Sequence, residues 1–139
     1  MSENCVFCKI IEGTIPSRTI YEDDYFKAIL DISPAAPGHT VVISKTCAKD
    51  LLGLPDDAAA RHTPFVKKVA GIIKDALGKD VAGINILQNN GAKAGQTVFH
   101  YHTHIIPRYE GDGVTVGWEA AKPSAEELDG LFSKIKGML

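Results

Sequence analysis

The sequence predicts an α+β fold whose core is a five-stranded antiparallel sheet. The predicted elements follow the order helix, three strands, long helix, two strands, helix. Consecutive strands are joined by short connections, which favour antiparallel pairing because a parallel pair needs a crossover of a dozen residues or more. The chain also has too few helices for repeated β-α-β units. Its 139 residues are expected to form one domain.

The N-terminal part is predicted to hold a short helix and three strands. Residues 5–12 form the helix, which ends at Gly13 because glycine readily adopts the left-handed conformation that closes a helix. Two strands are predicted at 19–22 and 25–31. The third strand, at 39–44, is rich in β-branched residues and follows a stretch rich in proline and glycine.

The next part is predicted to hold a long helix and two strands. Apolar residues recur at spacings of three and four over 56–77, which predicts a helix with Pro64 in its early part. Strands are predicted at 82–88 and 98–106. The glycine-rich loop 89–95 between them offers backbone N–H groups suited to an anion, although it lacks the Walker pattern.

A last helix is predicted from Ser124 to about Lys136. Ser124 with Glu127 three residues later is typical of a capping box, in which side chains bond the free N–H groups of a helix start. His62, on the long helix, is expected to be exposed and is given no role.

Composition excludes several classes of protein. The net charge is −2, so nothing predicts a protein that binds nucleic acid through its phosphates. No Lys- or Arg-rich helix indicates a membrane-surface protein, and no stretch approaches the ~20 uncharged residues needed to cross a bilayer. Residues 1–5 show neither a basic region nor an apolar run, so we expect a cytoplasmic protein.

Three histidines alternate along the last predicted strand: His100, His102 and His104. Alternate side chains of a strand share one face, with Cα atoms about 6.6 Å apart. Such a row can chelate a metal, but no Asp or Glu lies between Gln96 and Arg108 to complete the site. Nucleophilic catalysis is favoured, because neutral imidazole is a good nucleophile near pH 7 and can form a covalent intermediate.

The chain has three cysteines, an odd number that argues against a closed disulfide framework. Cys5 and Cys8 form a C-x2-C pair, and Cys47 stands apart. This pattern favours metal binding or thiol chemistry, while three buried free thiols remain the alternative.

The segment from Gly95 to Ile106 resembles the H-φ-H-φ-H-φ-φ motif of the histidine triad (HIT) family, with Thr103 as a polar spacer. Similarity is dense from Cys5 to Tyr109 and weak over 110–139, and it is strongest to the bacterial form of the Hint branch. It extends over several N-terminal stretches: 7–11, 15–16, 21–23, 31–34 and 37–43. The resemblance implies a single HIT domain over 1–139, with a variable C-terminal segment.

The resemblance also implies a homodimer in which two five-stranded sheets join into one of ten strands. It implies a nucleotide hydrolase or transferase that acts at the α-phosphate of purine nucleoside phosphoramidates or related nucleotide conjugates, through a covalent nucleotidyl-histidine. A dinucleoside polyphosphate hydrolase, a regulatory nucleotide-binding protein with vestigial hydrolysis, and a metal-dependent hydrolase are the alternatives.

Site residues follow from the resemblance position by position. His102 is the nucleophile, and the backbone carbonyl of His100 orients its ring. His104 and a fourth histidine, His39, line the phosphate site. Asn89, Gln96 and Thr97 are at positions that bind phosphate or the leaving group. Asp31 is at the position that binds the ribose hydroxyls, and the apolar walls of the base pocket correspond to Phe7, Ile15 and Ile32.

The resemblance also implies a zinc site, because family members that carry the cysteine pair look like zinc-binding proteins. The positions of their zinc ligands correspond here to Cys5, Cys8, Cys47 and His100. Cys47 stands where the family has a histidine, and thiolate is also a zinc ligand. Four protein ligands make a closed structural site, so no metal is expected in the chemical step. In the family, the segment around Trp118 can approach a dimer partner's active site and tune its specificity; core or interface packing is the alternative for this residue.

Overall fold

The computed structural model describes residues 4–139, so Met1, Ser2 and Glu3, within the stretch used to predict localisation, lie outside the described residues. The predicted order of elements and the α+β fold are confirmed. The elements are α1 (Val6–Glu12), β1 (Thr19–Glu22), β2 (Phe26–Leu30), β3 (Thr40–Ser44), α2 (Asp56–Leu77), β4 (Gly83–Leu87), β5 (His102–Arg108) and α3 (Ala125–Lys136).

The five strands form one antiparallel sheet in the order β1-β2-β3-β5-β4. This order places β3 and β5 inside the sheet, where Val41 is opposite His104 and Ile43 is opposite His102. It leaves β4 at one edge. The pairing of this sheet with that of a second chain stays a prediction.

Each face of the sheet is covered by a different helix. On one face, α2 contributes Phe65 and Val69 to a cluster that includes Val42 and Ile105. On the other face, Ile10 of α1 packs in a smaller cluster with residues of β2 and β3: Ile29, Val41 and Ile43. Adjacent residues of β3 enter opposite clusters because successive strand side chains point to opposite faces. His102 and His104 pair with β3 residues of the smaller cluster, which puts them on the α1 side.

The start of β5 differs from the prediction. The strand begins at His102, not at residue 98, and continues to Arg108. Before it, the backbone N–H of Tyr101 donates to Ala48 O at 2.7 Å, which draws residues 98–101 toward the β3–α2 connection. At the other end, Pro107 lies beyond the β3 pairing, where β5 has only β4 as a neighbour. A residue without an N–H is tolerated at such a position.

Both terminal helices begin and end as predicted. Gly13 closes α1 with a φ of 84°, in the left-handed region that favours glycine. The Ser124 side chain accepts a hydrogen bond from Glu127 N at the start of α3. Within residues 4–139, no helix is long and apolar enough to span a membrane.

Candidate active site

His102 and His104 lie side by side on β5, with their ring centroids 5.1 Å apart. His102 Nδ1 lies 2.6 Å from the backbone carbonyl of His100. A carbonyl oxygen can only accept, so Nδ1 carries the proton and Nε2 keeps its lone pair. Burial lowers the pKa of His102 below its usual 6.5, against the opposing effects of that carbonyl and of Asp31. The ring is therefore neutral at pH 7, with an unprotonated Nε2.

His100 is not the third member of a row on one strand face. It precedes β5 by two residues, and its fully buried ring turns toward the cysteines of α1. The sequence-based expectation of three rings aligned along one strand is therefore wrong. The cause is that residues 98–101 are not part of β5, which begins only at His102.

His39 and Asp31 lie next to His104. His39 Nε2 lies 2.9 Å from His104 Nδ1 and 3.5 Å from Asp31 Oδ2. His39 Nδ1 accepts from the backbone N–H of Ala35 at 2.9 Å. Burial lowers the pKa of His39, and burial together with the two neighbouring imidazoles, His102 and His39, lowers that of His104 to about 4.

A cavity of about 450 Å³ opens beside these histidines. His102 and His104 form part of its wall, and Phe7 packs edge-on against His102 at a centroid distance of 4.9 Å. The structure brings most of the predicted binding residues to this cavity: Phe7, Ile15, Asp31, Ile32 and Thr97. Sequence reasoning missed Arg18, which also lines it, and no local signal distinguished this arginine from a surface one.

Asn89 and Gln96 lie elsewhere. The Gln96 side chain is buried and holds the loops together: its amide nitrogen donates to Lys49 O and Val98 O, and its oxygen accepts from Gly91 N. Neither residue is among those that line the cavity. Their predicted contact with substrate remains a prediction, while the structure gives Gln96 a role in shaping the β4–β5 loop.

A group of sulfur and nitrogen atoms lies at the start of α1. Cys5 Sγ and Cys8 Sγ are 3.5 and 3.4 Å from His100 Nδ1, and Cys8 Sγ is 3.7 Å from Cys47 Sγ. Zinc–ligand bond lengths give tetrahedral edges of about 3.6 Å (S···N) and 3.8 Å (S···S). Cys5, Cys8 and His100 therefore have the spacing of metal ligands. Cys47 is exposed, and its Sγ lies beside Cys8 Sγ but outside that group of three.

The tautomer of His100 also suits a metal. Its Nε2 lies 2.6 Å from the backbone carbonyl of Ser44, so Nε2 carries the proton and Nδ1 is free to bind. Metal-bound histidines usually donate their second N–H to such an acceptor. The sequence does not show this carbonyl as a partner, because it lies 56 residues away.

His62 was expected to be exposed, and this expectation is also wrong. It is half-buried on α2, and its Nε2 lies 2.7 Å from Thr103 Oγ1, beneath β5. Its ring also contacts Phe26 and Tyr101. It therefore packs against the opposite face of the sheet from His102 and His104.

Comparisons with known proteins agree with this geometry. The HIT domain family matches residues 12–111. A crystal structure of a HIT family protein from Bacillus subtilis is 46% identical with a TM-score of 0.90, covering 99% of this chain and 98% of that chain. Adenosine 5'-monophosphoramidase HNT1 of Candida albicans is 39% identical over 136 residues, 96% of this chain and 90% of that protein.

A zinc-bound histidine triad family protein from Mycobacterium smegmatis is 35% identical with a TM-score of 0.74, and the match covers 98% of both chains. The family match spans more than half of this sequence. The chain therefore belongs to the HIT domain family.

Proposed function

We propose that this protein is a nucleotide hydrolase that acts at the α-phosphate of purine nucleoside phosphoramidates through a covalent intermediate on His102. The observation that carries the proposal is the orientation of His102. The His100 carbonyl holds the proton on Nδ1, which leaves the Nε2 lone pair on a buried neutral ring beside the cavity. Relatives named adenosine 5'-monophosphoramidase support this class of substrate.

The reaction takes place in two steps. His102 Nε2 forms a bond to the α-phosphorus as the bond from phosphorus to the leaving nitrogen breaks, and that nitrogen takes up a proton from solvent and departs as an amine. Water then attacks phosphorus, gives up a proton to solvent and breaks the phosphorus–Nε2 bond, which returns the lone pair to His102 and releases the nucleoside monophosphate. His104 serves as a hydrogen-bond donor to the phosphoryl oxygens, which gain charge in the transition state.

The cavity wall suits a nucleoside. Phe7, Ile15 and Ile32 offer apolar contact to a base. Asp31 Oδ1 accepts from Ser33 N at 2.7 Å, which orients the carboxylate and leaves Oδ2 for ribose hydroxyls. Thr97 lines the same cavity and is assigned to the phosphate, together with Asn89 and Gln96 in the adjoining loop.

We assign a structural zinc ion to Cys5, Cys8, Cys47 and His100. When bound, the ion links α1 to the segment that enters β5, and it supplies no chemistry to the hydrolysis. His100 then has two roles in this proposal: its ring binds the metal, and its carbonyl orients His102.

A homodimer with a ten-stranded sheet completes the proposal. Its support is the edge position of β4 and the exposed apolar side chains of the C-terminal segment, including Trp118. In such a dimer, Trp118 of one chain contributes to the specificity of its partner's site.

The test compares hydrolysis of adenosine 5'-phosphoramidate by the wild type and by His102→Ala, each with and without a zinc chelator. We expect wild-type turnover to survive brief chelation and His102→Ala to lose several powers of ten in kcat. His62→Gln is the matched control, since it removes a half-buried histidine from the opposite face of the sheet.

Equal activity of the wild type and His102→Ala would exclude the nucleophile assignment. Tight binding of adenosine monophosphate without turnover would favour a regulatory protein. Immediate loss of the chemical step on chelation, before any change in the fold, would favour a metal-dependent hydrolase.

A further inference from the structure

Two groups of side chains have the spacing of metal ligands. One is the group of Cys5, Cys8 and His100, and the other is the group of Asp31, His39 and His104 beside the cavity. Within each group the possible ligand atoms lie within 4.8 Å of one another. Distance alone does not separate the two groups, but the positions of the ring protons do.

The proton of His39 is placed by the backbone. Its Nδ1 lies 2.9 Å from the N–H of Ala35, and a backbone N–H can only donate. Nδ1 is therefore the acceptor, and the neutral ring carries its proton on Nε2. Burial, which lowers the pKa of His39, favours this neutral form.

The proton of His104 follows from that of His39. His39 Nε2–H faces His104 Nδ1 at 2.9 Å, while Asp31 Oδ2 is farther away at 3.5 Å. His39 therefore donates to His104 Nδ1, and His104 carries its own proton on Nε2. Among residues 4–139, no described hydrogen bond takes Nε2 of His104, whose ring lines the cavity.

We propose that His39 is a positioning residue that holds His104 as a neutral donor through Nε2–H, and that the same hydrogen-bond chain keeps divalent metal ions out of the group of Asp31, His39 and His104. The chain runs from the Ala35 N–H to His39 and then to His104. Its catalytic part, donation from His104 to the phosphoryl group, rests on the proposed function. The assignment of protons does not.

Metal binding by Asp31, His39 and His104 conflicts with the hydrogen bonds from the Ala35 N–H to His39 and from His39 to His104. A metal on His39 Nε2 displaces that proton, while Nδ1 still faces a donor, so the ring must become an imidazolate or lose its bond to Ala35. Metal-bound histidines normally donate from their second nitrogen. His100 shows the suitable arrangement, because its Nε2–H meets the Ser44 carbonyl and leaves Nδ1 free.

The first test is NMR of protein labelled with ¹⁵N at histidine, recorded at pH 7 with one equivalent of zinc. Two-bond ¹H–¹⁵N correlations show which ring nitrogen bears the proton. We expect His39 and His104 both to carry it on Nε2. A proton on Nδ1 of either ring would overturn the proposal even if the enzyme is active.

Two variants separate the two hydrogen bonds that His39 makes, one with the Ala35 N–H and one with His104. His39→Gln keeps an amide N–H donor near the position of Nε2. His39→Asn has its amide near the position of Nδ1 and leaves no donor near that of Nε2. We expect His104 to keep its Nε2–H form in His39→Gln and to become a mixture of tautomers in His39→Asn. The kcat of His39→Asn should fall about 10- to 100-fold, less than the 10²–10³ typical of removing an oxyanion donor outright.

His62→Gln is the control for the spectra and should leave the His104 tautomer unchanged. Co²⁺ added beyond one equivalent tests metal exclusion, since a paramagnetic ion at this group would broaden the His39 and His104 signals. Such broadening at a second equivalent would contradict the proposal. A protein that has the proton on Nε2 of both His39 and His104 but does not turn over the substrate would overturn the proposed function. It would still support the positioning role of His39.

Discussion

Single backbone groups set the states of His102, His39 and His100 directly, and that of His104 through His39. The His100 carbonyl, the Ala35 N–H and the Ser44 carbonyl each bind one ring nitrogen, and none can exchange the roles of donor and acceptor. The backbone thus makes His102 an acceptor and His104 a donor before any substrate binds.

The pH profile of the reaction follows from these states. His102 must be neutral to attack, and burial lowers its pKa below 6.5 and that of His104 to about 4. Both rings in the free enzyme therefore take up a proton at lower pH than an ordinary histidine does. We expect kcat/KM to fall as the pH is lowered, with a midpoint below pH 6.5. A midpoint at or above pH 6.5 would show that at least one of the two rings is not held neutral. The control is a substrate whose leaving group does not titrate in this range.

At the scale of elements, α1 connects the proposed zinc ligands to the cavity. Cys5 caps the helix, Cys8 is fully buried within it, and Phe7 between them contacts the rings of His100 and His102. Metal binding adds stability to the folded state alone, so removing the metal should loosen this helix and the adjacent wall of the cavity.

Metal removal gives a measurable loss of stability. At zinc concentrations near 1,000 times its Kd, binding stabilises a fold by about 4 kcal/mol, which corresponds to a Tm change on the order of 15 °C for a chain of this size. We expect one zinc per chain by elemental analysis, and a lower Tm after chelation or in Cys8→Ser. Cys47→His retains a ligand and should keep both the zinc and the Tm. An unchanged Tm in Cys8→Ser would exclude the site.

The helices were predicted closely because their signals are local. The spacing of apolar residues gave the bounds of α2, and Gly13 marked the end of α1. The start of β5 was not predictable, since it depends on a hydrogen bond from Tyr101 to Ala48 across 53 residues of sequence. The site shows the same division. The family motif made His102 the predicted nucleophile, whereas the partner of His39 is a backbone amide that no residue type reveals.

At the scale of the whole molecule, α3 is not packed into the core formed by the described residues. None of the 12 residues described in this helix is buried. Its apolar side chains nevertheless lie at helical spacings of three and four, on one face: Leu128, Leu131, Phe132 and Ile135. An apolar face of this kind is normally covered, and a second copy of the chain is the occupant that the proposed dimer supplies.

Phe132→Asp tests this arrangement, because it places a charge in the middle of the apolar face. Ser133→Asp is its matched control: it adds the same charge at the next position of the helix, outside that face. In sedimentation experiments at micromolar concentration we expect the wild type and Ser133→Asp to be dimers. Phe132→Asp should dissociate at least 30-fold more readily, as removal of a central aromatic contact costs about 2 kcal/mol or more. A monomeric wild type, or equal dimerisation of the two variants, would show that α3 is not part of a dimer interface.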